Sequence, residues 1–284
     1  MSVGSGCESS DSPPMCLLIA ISGVIDGAPL LVAANRDEFY ARVAVPMTVL
    51  REAAPRVLGG RDLVAGGTWM AVNEHGVVAA LTNKPTAGER DPTKRSRGEI
   101  PLLLAAHPSA EAAVDALRST AAPGEFNPCW VLVGDRHGLY SVDMTGPGSL
   151  ESRRLPPGVH VLENKPLGSP SAKVDRVREV LGDCRSRPAA SVIADLAVIV
   201  ADHVMPLVAA DSSETAERQA RISACCVHTE LYGTRSSMTV SVPAPPSEPP
   251  RVWASSGPPC THALLPVPFE PAPGTGPTRH PAEP

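Results

Sequence analysis

The stretch "MCLLIAISGVIDGAPLLVAANRDEFY", Met15 to Tyr40, decides how this chain is read. Leu17 to Ser22 is a nearly unbroken apolar run, Asp26-Gly27 is a turn signal, and Leu30 to Ala34 is a second apolar run, together the pattern of a β-hairpin. Cys16 opens the first strand, and the polar cluster Asn35-Arg36-Asp37-Glu38 stands at the end of the second. The hairpin therefore predicts that the cluster is carried back toward the cysteine.

Two readings of Cys16 stand side by side. A cysteine in an apolar strand is ordinarily a small buried hydrophobe. If Met15 is an initiator and is removed, however, Cys16 carries both a thiol and a free α-amine, whose pKa of about 7.7 to 8.0 lets it take the thiol proton. Such a centre also needs a group to orient the amine, a cation for the thiolate, and donors for a developing oxyanion. Asp37 suits the first task and Arg36 the second.

Working outward, Thr68 to Val72 and Val77 to Thr82 flank the polar turn Asn73-Glu74-His75-Gly76, and Trp130 to Val133 pairs with Leu139 to Val142 as a further two strands. Helices fall in the middle of the chain. Ser109 caps one that carries Glu111, Ala113, Val114 and Leu117; Val174, Val177 and Leu181 mark a second; Ile193, Leu196, Val200 and Val204 mark a third. Cys225 to Thr229, Ser237 to Val242 and Val252 to Ser255 return to strand character. Strands at both ends with helices between them predict an α+β fold, two mainly antiparallel sheets flanked by helices. Residues 15–265 read as one domain. Residues 1–14 read as disordered or absent from the mature chain, and the Pro-rich stretch 266–284 as a disordered tail.

With 284 residues, 43% of them hydrophobic, the chain can bury a sizeable core, and a net charge of −5 leaves no basic footprint for nucleic acid or an anionic membrane. Lys94-Arg95-Ser96-Arg97 reads as a solvated loop. No secretory signal or membrane-spanning segment is evident, since residues 1–14 lack Lys and Arg and the apolar stretch behind them is interrupted. Seven cysteines without a pairing pattern argue for free thiols in a reducing compartment, so cytoplasm is expected. There is no CxxC, CxxCH or HExxH. The histidines are scattered singly, and Cys225, Cys226 and His228 read as an ordinary strand position, so no metal is expected. Gly59-Gly60-Arg61-Asp62 and Gly66-Gly67-Thr68-Trp69 lack the following helix that a phosphate loop requires.

The segments "AANRDEFYAR", "GGTWMAVNEHGVVAALTN", "SRGE", "EFNPCWVLVGD" and "YGTRSS" occur in the order seen in the NRDE family, also called the transport and Golgi organisation protein 2 family, which this chain resembles from Met15 to about Ser255. Family members typically begin Met-Cys, so the resemblance implies that Met15 is the true start or that residues 1–14 are removed. The family in turn is similar to the N-terminal nucleophile (Ntn) proteins, an αββα sandwich whose choloylglycine and penicillin V hydrolases order their site residues as cysteine, arginine, aspartate, two asparagines and a late arginine. By that resemblance Cys16 is the nucleophile, Asp37 holds its amine, and Asn83 and Asn164 are oxyanion or amine donors. Arg36 and Arg235 lower the thiol pKa or bind an anionic group. Trp69, Asn35 and Thr82 are expected to face the substrate. Glu163-Asn164 departs from the family's Ser-Asn. Arg36 and Asp37 are adjacent, so they point to opposite faces unless the strand has ended or bulged.

The expected activity is that of a cysteine amidohydrolase or acyl transferase on a small amide or thioester, with no cofactor. The alternative is a non-enzymatic carrier of haem or acyl-coenzyme A, in which Cys16 or a histidine is a transient ligand of haem iron and Arg36 or Arg235 meets the propionates.

Overall fold

Leu17 to Ile21 are all buried although alternate side chains point to opposite faces, so this strand is covered on both sides. The computed structural model, which describes residues 16–85, 90–146, 148, 150–205, 217 and 220–268, shows what covers it. Strand β1 (Leu17–Ser22) pairs antiparallel with β2 (Leu30–Phe39) in the register Leu17 to Asn35 through Ser22 to Leu30. The predicted hairpin is present. Its second strand runs five residues further than Ala34, so the whole Asn-Arg-Asp-Glu cluster lies within β2.

The other elements are β3 (Ala44–Arg51), β4 (Val57–Asp62), β5 (Met70–Asn73), β6 (Val78–Asn83), α1 (Glu99–Leu104), α2 (Ala110–Thr120), β7 (Cys129–Asp135), β8 (Gly138–Asp143), β9 (Glu151–Leu155), β10 (Gly158–Leu162), α3 (Ala172–Leu181), α4 (Ala189–Val200), β11 (Tyr232–Val242), β12 (Arg251–Ala254) and β13 (Leu265–Val267). One antiparallel sheet has the order β10-β1-β2-β11-β12-β13, the other β3-β4-β5-β6-β7-β8-β9.

Three apolar clusters define the layers. Leu18, Ala20, Leu30, Val32 and Ala34 of the first sheet meet Leu58, Met70, Val72, Val78 and Leu132 of the second. The opposite faces of β1 and β2, with Leu17, Ile19, Ile21, Leu31 and Ala33, pack on Val174, Val177, Leu181, Val192 and Leu196 of α3 and α4. Ala79, Leu81, Val131 and Val133 of the second sheet pack on Ile100, Leu104, Val114 and Leu117 of α1 and α2. The order is helix, sheet, sheet, helix: the predicted αββα sandwich.

Ser109 caps α2 by accepting from Ala112 N, and Ser171 caps α3 by accepting from Val174 N. Three local expectations are corrected. Val204 lies beyond the end of α4 and is exposed, because the helix stops at Val200. Cys225 to Thr229 is not a strand: it runs as a connection with a single bridge, His228 to Gly233. Pro266 and Val267, placed in the tail by composition, pair with Trp253 and Val252 as part of β13. Residues 1–15 and 269–284 lie outside the described residues. Among the described residues no helix is long and apolar enough to cross a membrane.

Candidate active site

Alternation along β1 and β2 decides what faces what. Leu18 and Ala34 face the second sheet, so Cys16 and Arg36 lie on that side; Leu17 and Ala33 face α3 and α4, so Asn35 and Asp37 lie on the helical side. Strand β2 itself does not bulge. The irregularity is in its partner: β11 pairs Thr234 with Asp37 and Ser236 with Arg36, leaving Arg235 as the extra residue. Arg36 and Asp37 therefore reach Cys16 from the two faces of the sheet.

On the inter-sheet side, Arg36 Nη2 binds Asp62 Oδ2 at 3.1 Å and approaches Glu38 at 3.8 Å, and its guanidinium stands 4.9 Å from the Trp69 ring centroid. Arg42 joins the same network, with Nε 2.6 Å from Asp62. Trp69 fits because Gly60 lies beneath it: a Cβ there would fall 1.8 Å from the indole. Gly67 and Gly98 approach backbone to backbone, with Thr68 N donating to Gly98 O, and this joins the Gly-Thr-Trp and Ser-Arg-Gly-Glu segments. Arg97 is thereby held half-buried beside Cys129, Cys16 and Glu38, where burial lowers its pKa. Only Arg95 of that basic run behaves as a solvated residue, paired with Glu99 and Glu125.

On the helical side, Asp37 is buried, with Oδ1 accepting from Thr234 Oγ1 at 2.6 Å and Oδ2 3.9 Å from Lys173 Nζ. Burial pushes the Asp37 carboxyl up to about 6, opposed by Lys173, Thr234 and Arg36. Lys173, in the first turn of α3, is 1% exposed. A lysine beside Ser171 reads in sequence as a solvated residue, so nothing there announces a buried cation. Neither Lys173 Nζ nor Asp37 Oδ2 has a hydrogen-bond partner among the described residues.

Cys16 is half-buried, and its thiol donates to Asp37 O at 3.8 Å. Burial, then the Asp37 and Glu38 charges, push it up to about 12 against the pull of Arg36 and the Asp37 backbone contact. Cys16 is thus a thiol that needs a base, rather than a standing thiolate.

The remaining residues expected at the site separate into two groups. Asn164, just past β10, donates from Nδ2 to Asn83 O at 2.5 Å, and its Oδ1 is buried without a partner among the described residues. Thr82 Oγ1 donates to Glu163 O, so β6 and the end of β10 are tied together beside β1. Asn35 and Arg235, in contrast, serve the scaffold. Asn35 Nδ2 donates to Val200 O and Cys225 O, both at 2.8 Å. Arg235 Nη1 donates to Phe39 O at 2.9 Å and Tyr40 O at 2.7 Å, with the guanidinium over the Tyr40 ring. Asn35 therefore does not face the inter-sheet side where the Cys16 thiol lies. Arg235 Nη1 is thus occupied by main-chain carbonyls at the end of β2. A cavity of about 310 Å³ opens between Trp130, Leu132, Leu162 and Leu167, and Cys16 does not line it.

Two antiparallel sheets between helical layers define the chain as an αββα sandwich, with a cysteine at the start of an inner strand. It belongs to the Transport and Golgi organisation 2 family, which matches it over residues 15–245. It is 29% identical over 233 residues to the Transport and Golgi organization protein 2 homolog of Bos taurus, an alignment covering 76% of this chain and 82% of that one. Among solved structures, it is similar to a conjugated bile acid hydrolase from Clostridium perfringens, at 12% identity and a TM-score of 0.48, covering 90% of this chain and 97% of that one. It is also similar to the Caenorhabditis elegans N-acylethanolamine-hydrolyzing acid amidase ortholog, at 13% identity and a TM-score of 0.49, covering 82% and 94%.

Proposed function

We propose that this protein is an N-terminal-cysteine amidohydrolase or acyl transferase acting on a small amide or thioester, activated when the residues ahead of Cys16 are removed. The observation that carries the proposal is the Asp37 carboxylate. It is buried at the level of Cys16, and its Oδ2 has no hydrogen-bond donor among the described residues. An acceptor left open in a dry site calls for a donor. The Cys16 α-amine, in the plane of the sheet at the end of β1, is the donor that chain cleavage would supply.

The thiol pKa supports the same reading. A thiol held at about 12 attacks only if its proton is taken during the step, and the amine of the same residue is a base with no side chain to place. In the proposed step the Cys16 proton passes to that amine as Sγ bonds to the substrate carbonyl carbon. The C–N or C–S bond then breaks, and the amine returns the proton to the leaving group. Water then hydrolyses the acyl-enzyme, or an acceptor amine takes up the acyl group. Asn164, anchored on Asn83, is the amide assigned to the oxyanion, and Arg36 and Arg97 supply positive charge on the thiol side.

The test is to determine the N-terminal residue of the purified protein and to compare turnover of a panel of small amides and thioesters by the processed chain and by Cys16→Ala. Turnover only with a free Cys16 amine is expected. Equal turnover by the alanine variant would remove the nucleophile assignment.

A further inference from the structure

On the far side of Asp37 and Thr234, four side chains from three separate segments converge. His203 follows α4, Cys226 and His228 lie in the connection to β11, and Cys260 lies in the β12–β13 loop. One donor atom from each falls within 4.8 Å of all the others. His228 Nε2 stands 3.7 Å from Cys226 Sγ and 3.3 Å from Cys260 Sγ, and the His203 and His228 ring centroids are 5.0 Å apart. Metal–sulfur bonds of about 2.3 Å and metal–nitrogen bonds of about 2.0 to 2.1 Å at a tetrahedral angle separate sulfur from nitrogen by about 3.6 Å. The observed spacings straddle that value.

The backbone around Cys226 is fixed independently of any ion. Cys226 N donates to Asp202 O at 2.8 Å, and His203 Nδ1 lies 3.0 Å from Cys226 O, the kind of outer contact that orients metal-binding imidazoles. Val227 N donates to Thr234 Oγ1, and Thr234 N donates to Val227 O. Cys226 is buried, while both imidazoles are exposed, so the cluster opens to solvent on its histidine side.

We propose that His203, Cys226, His228 and Cys260 form a tetrahedral zinc site that ties the α4–β11 connection to the β12–β13 loop. Two thiolates and two neutral imidazoles neutralise a divalent ion, and this ligand set at tetrahedral spacing suits zinc over the harder cations. Four protein ligands leave no open position, so the site is structural. Its reach into the candidate active site runs through Thr234, which both holds Val227 and donates to Asp37. Sequence spacing hid it: His203 and Cys226 are 23 residues apart, and His228 and Cys260 are 32.

The test uses the full chain, purified under reducing conditions, stripped with a chelator and reloaded with zinc or cobalt(II). About one equivalent of metal per chain is expected, and the cobalt form should show the intense visible bands of tetrahedral coordination with a near-ultraviolet thiolate charge-transfer band. Cys260→Ser and His228→Gln should each weaken binding by at least about 10- to 100-fold, since losing a ligand costs no less than losing an outer partner. Cys225→Ser and Cys16→Ala should retain the metal. Failure of the reduced chain to retain stoichiometric metal would overturn the proposal. So would unchanged affinity in both ligand variants, or loss of the cobalt spectrum in Cys16→Ala.

Discussion

Two consecutive stretches of β2, Leu30 to Ala34 and Asn35 to Asp37, are equally buried and differently built. Leu30 to Ala34 carries only apolar side chains, packed between the sheets on one face and against the helices on the other. Asn35 to Asp37 is as inaccessible as those residues, yet carries an amide, a guanidinium and a carboxylate, each with one buried polar atom lacking a partner among the described residues. Burial without full satisfaction costs stability, so the second stretch is where the fold gives up stability for a prepared site. The bulge at Arg235 falls inside the polar stretch, so that Ser236 stands opposite Arg36 and Thr234 opposite Asp37.

Breaking the polar stretch should have the largest effect. Asp37→Asn is expected to lower acylation of the processed enzyme by about 100-fold or more, because the amide cannot hold the amine as a carboxylate does. It also leaves Lys173 buried without its carboxylate partner, so Asp37→Asn should unfold at lower denaturant than Asp37→Asn combined with Lys173→Met. Denaturant unfolding of Asp37→Asn combined with Lys173→Met should show stability regained while acylation stays lost. Recovery of both would make Asp37 a scaffold residue like Asn35.

Breaking the apolar stretch should do the reverse. Leu31→Ala empties a fully buried position and should cost about 2–5 kcal/mol in chemical denaturation, with the acylation rate of the folded fraction unchanged.

Titration separates the two stretches without mutation. The Asp37 carboxyl is raised in the folded chain to about 6 from an ordinary value of 3.8, so the folded state binds its proton more tightly than the unfolded state does. Its contribution to stability is therefore fully present below pH of about 4 and is lost as pH rises through about 6. Activity runs the other way, since the carboxylate is the working form. A pH–rate profile should fall about tenfold per pH unit below the amine's pKa of about 7.7 to 8.0, since the amine must be neutral to take the thiol proton, and steepen where Asp37 takes its own proton, at or under about 6. A profile that does not steepen between pH 7 and 4 would detach Asp37 from the reaction.

The smallest effect belongs to the bulge. Arg235→Ala releases the carbonyls of Phe39 and Tyr40 and should cost about 1–2 kcal/mol in thermal or denaturant unfolding, with little change in acylation.

These contrasts also explain what the sequence revealed. The hairpin, the β5–β6 and β7–β8 pairs and the faces of α2 and α3 were legible because each carries an uninterrupted apolar period with a turn or cap beside it. β3, β9 and β10 were not, being partly exposed strands with mixed composition such as Glu151 to Leu155. Cys225 to Thr229 looks like a strand because its apolar residues are buried, yet it is held by Asn35 and Thr234 instead of a ladder. Cys16, Arg36 and Asp37 were legible through the family's ordered motifs. Lys173, Arg97 and the four-residue cluster were not, since their positions follow from packing between segments far apart in the chain. The contacts of Arg235 were not legible for the same reason: its motif position says nothing of where a bulged residue sends its side chain.

The central claim is that Cys16 becomes a nucleophile once its amine is free. Intact-mass measurement of the chain beginning at Cys16, mixed with a reactive small thioester, tests it most directly. A single acyl adduct mapping to Cys16, absent from Cys16→Ala and from the chain that retains residues ahead of Cys16, is the predicted result. An adduct that forms equally on the unprocessed chain, or on another cysteine, would contradict the account.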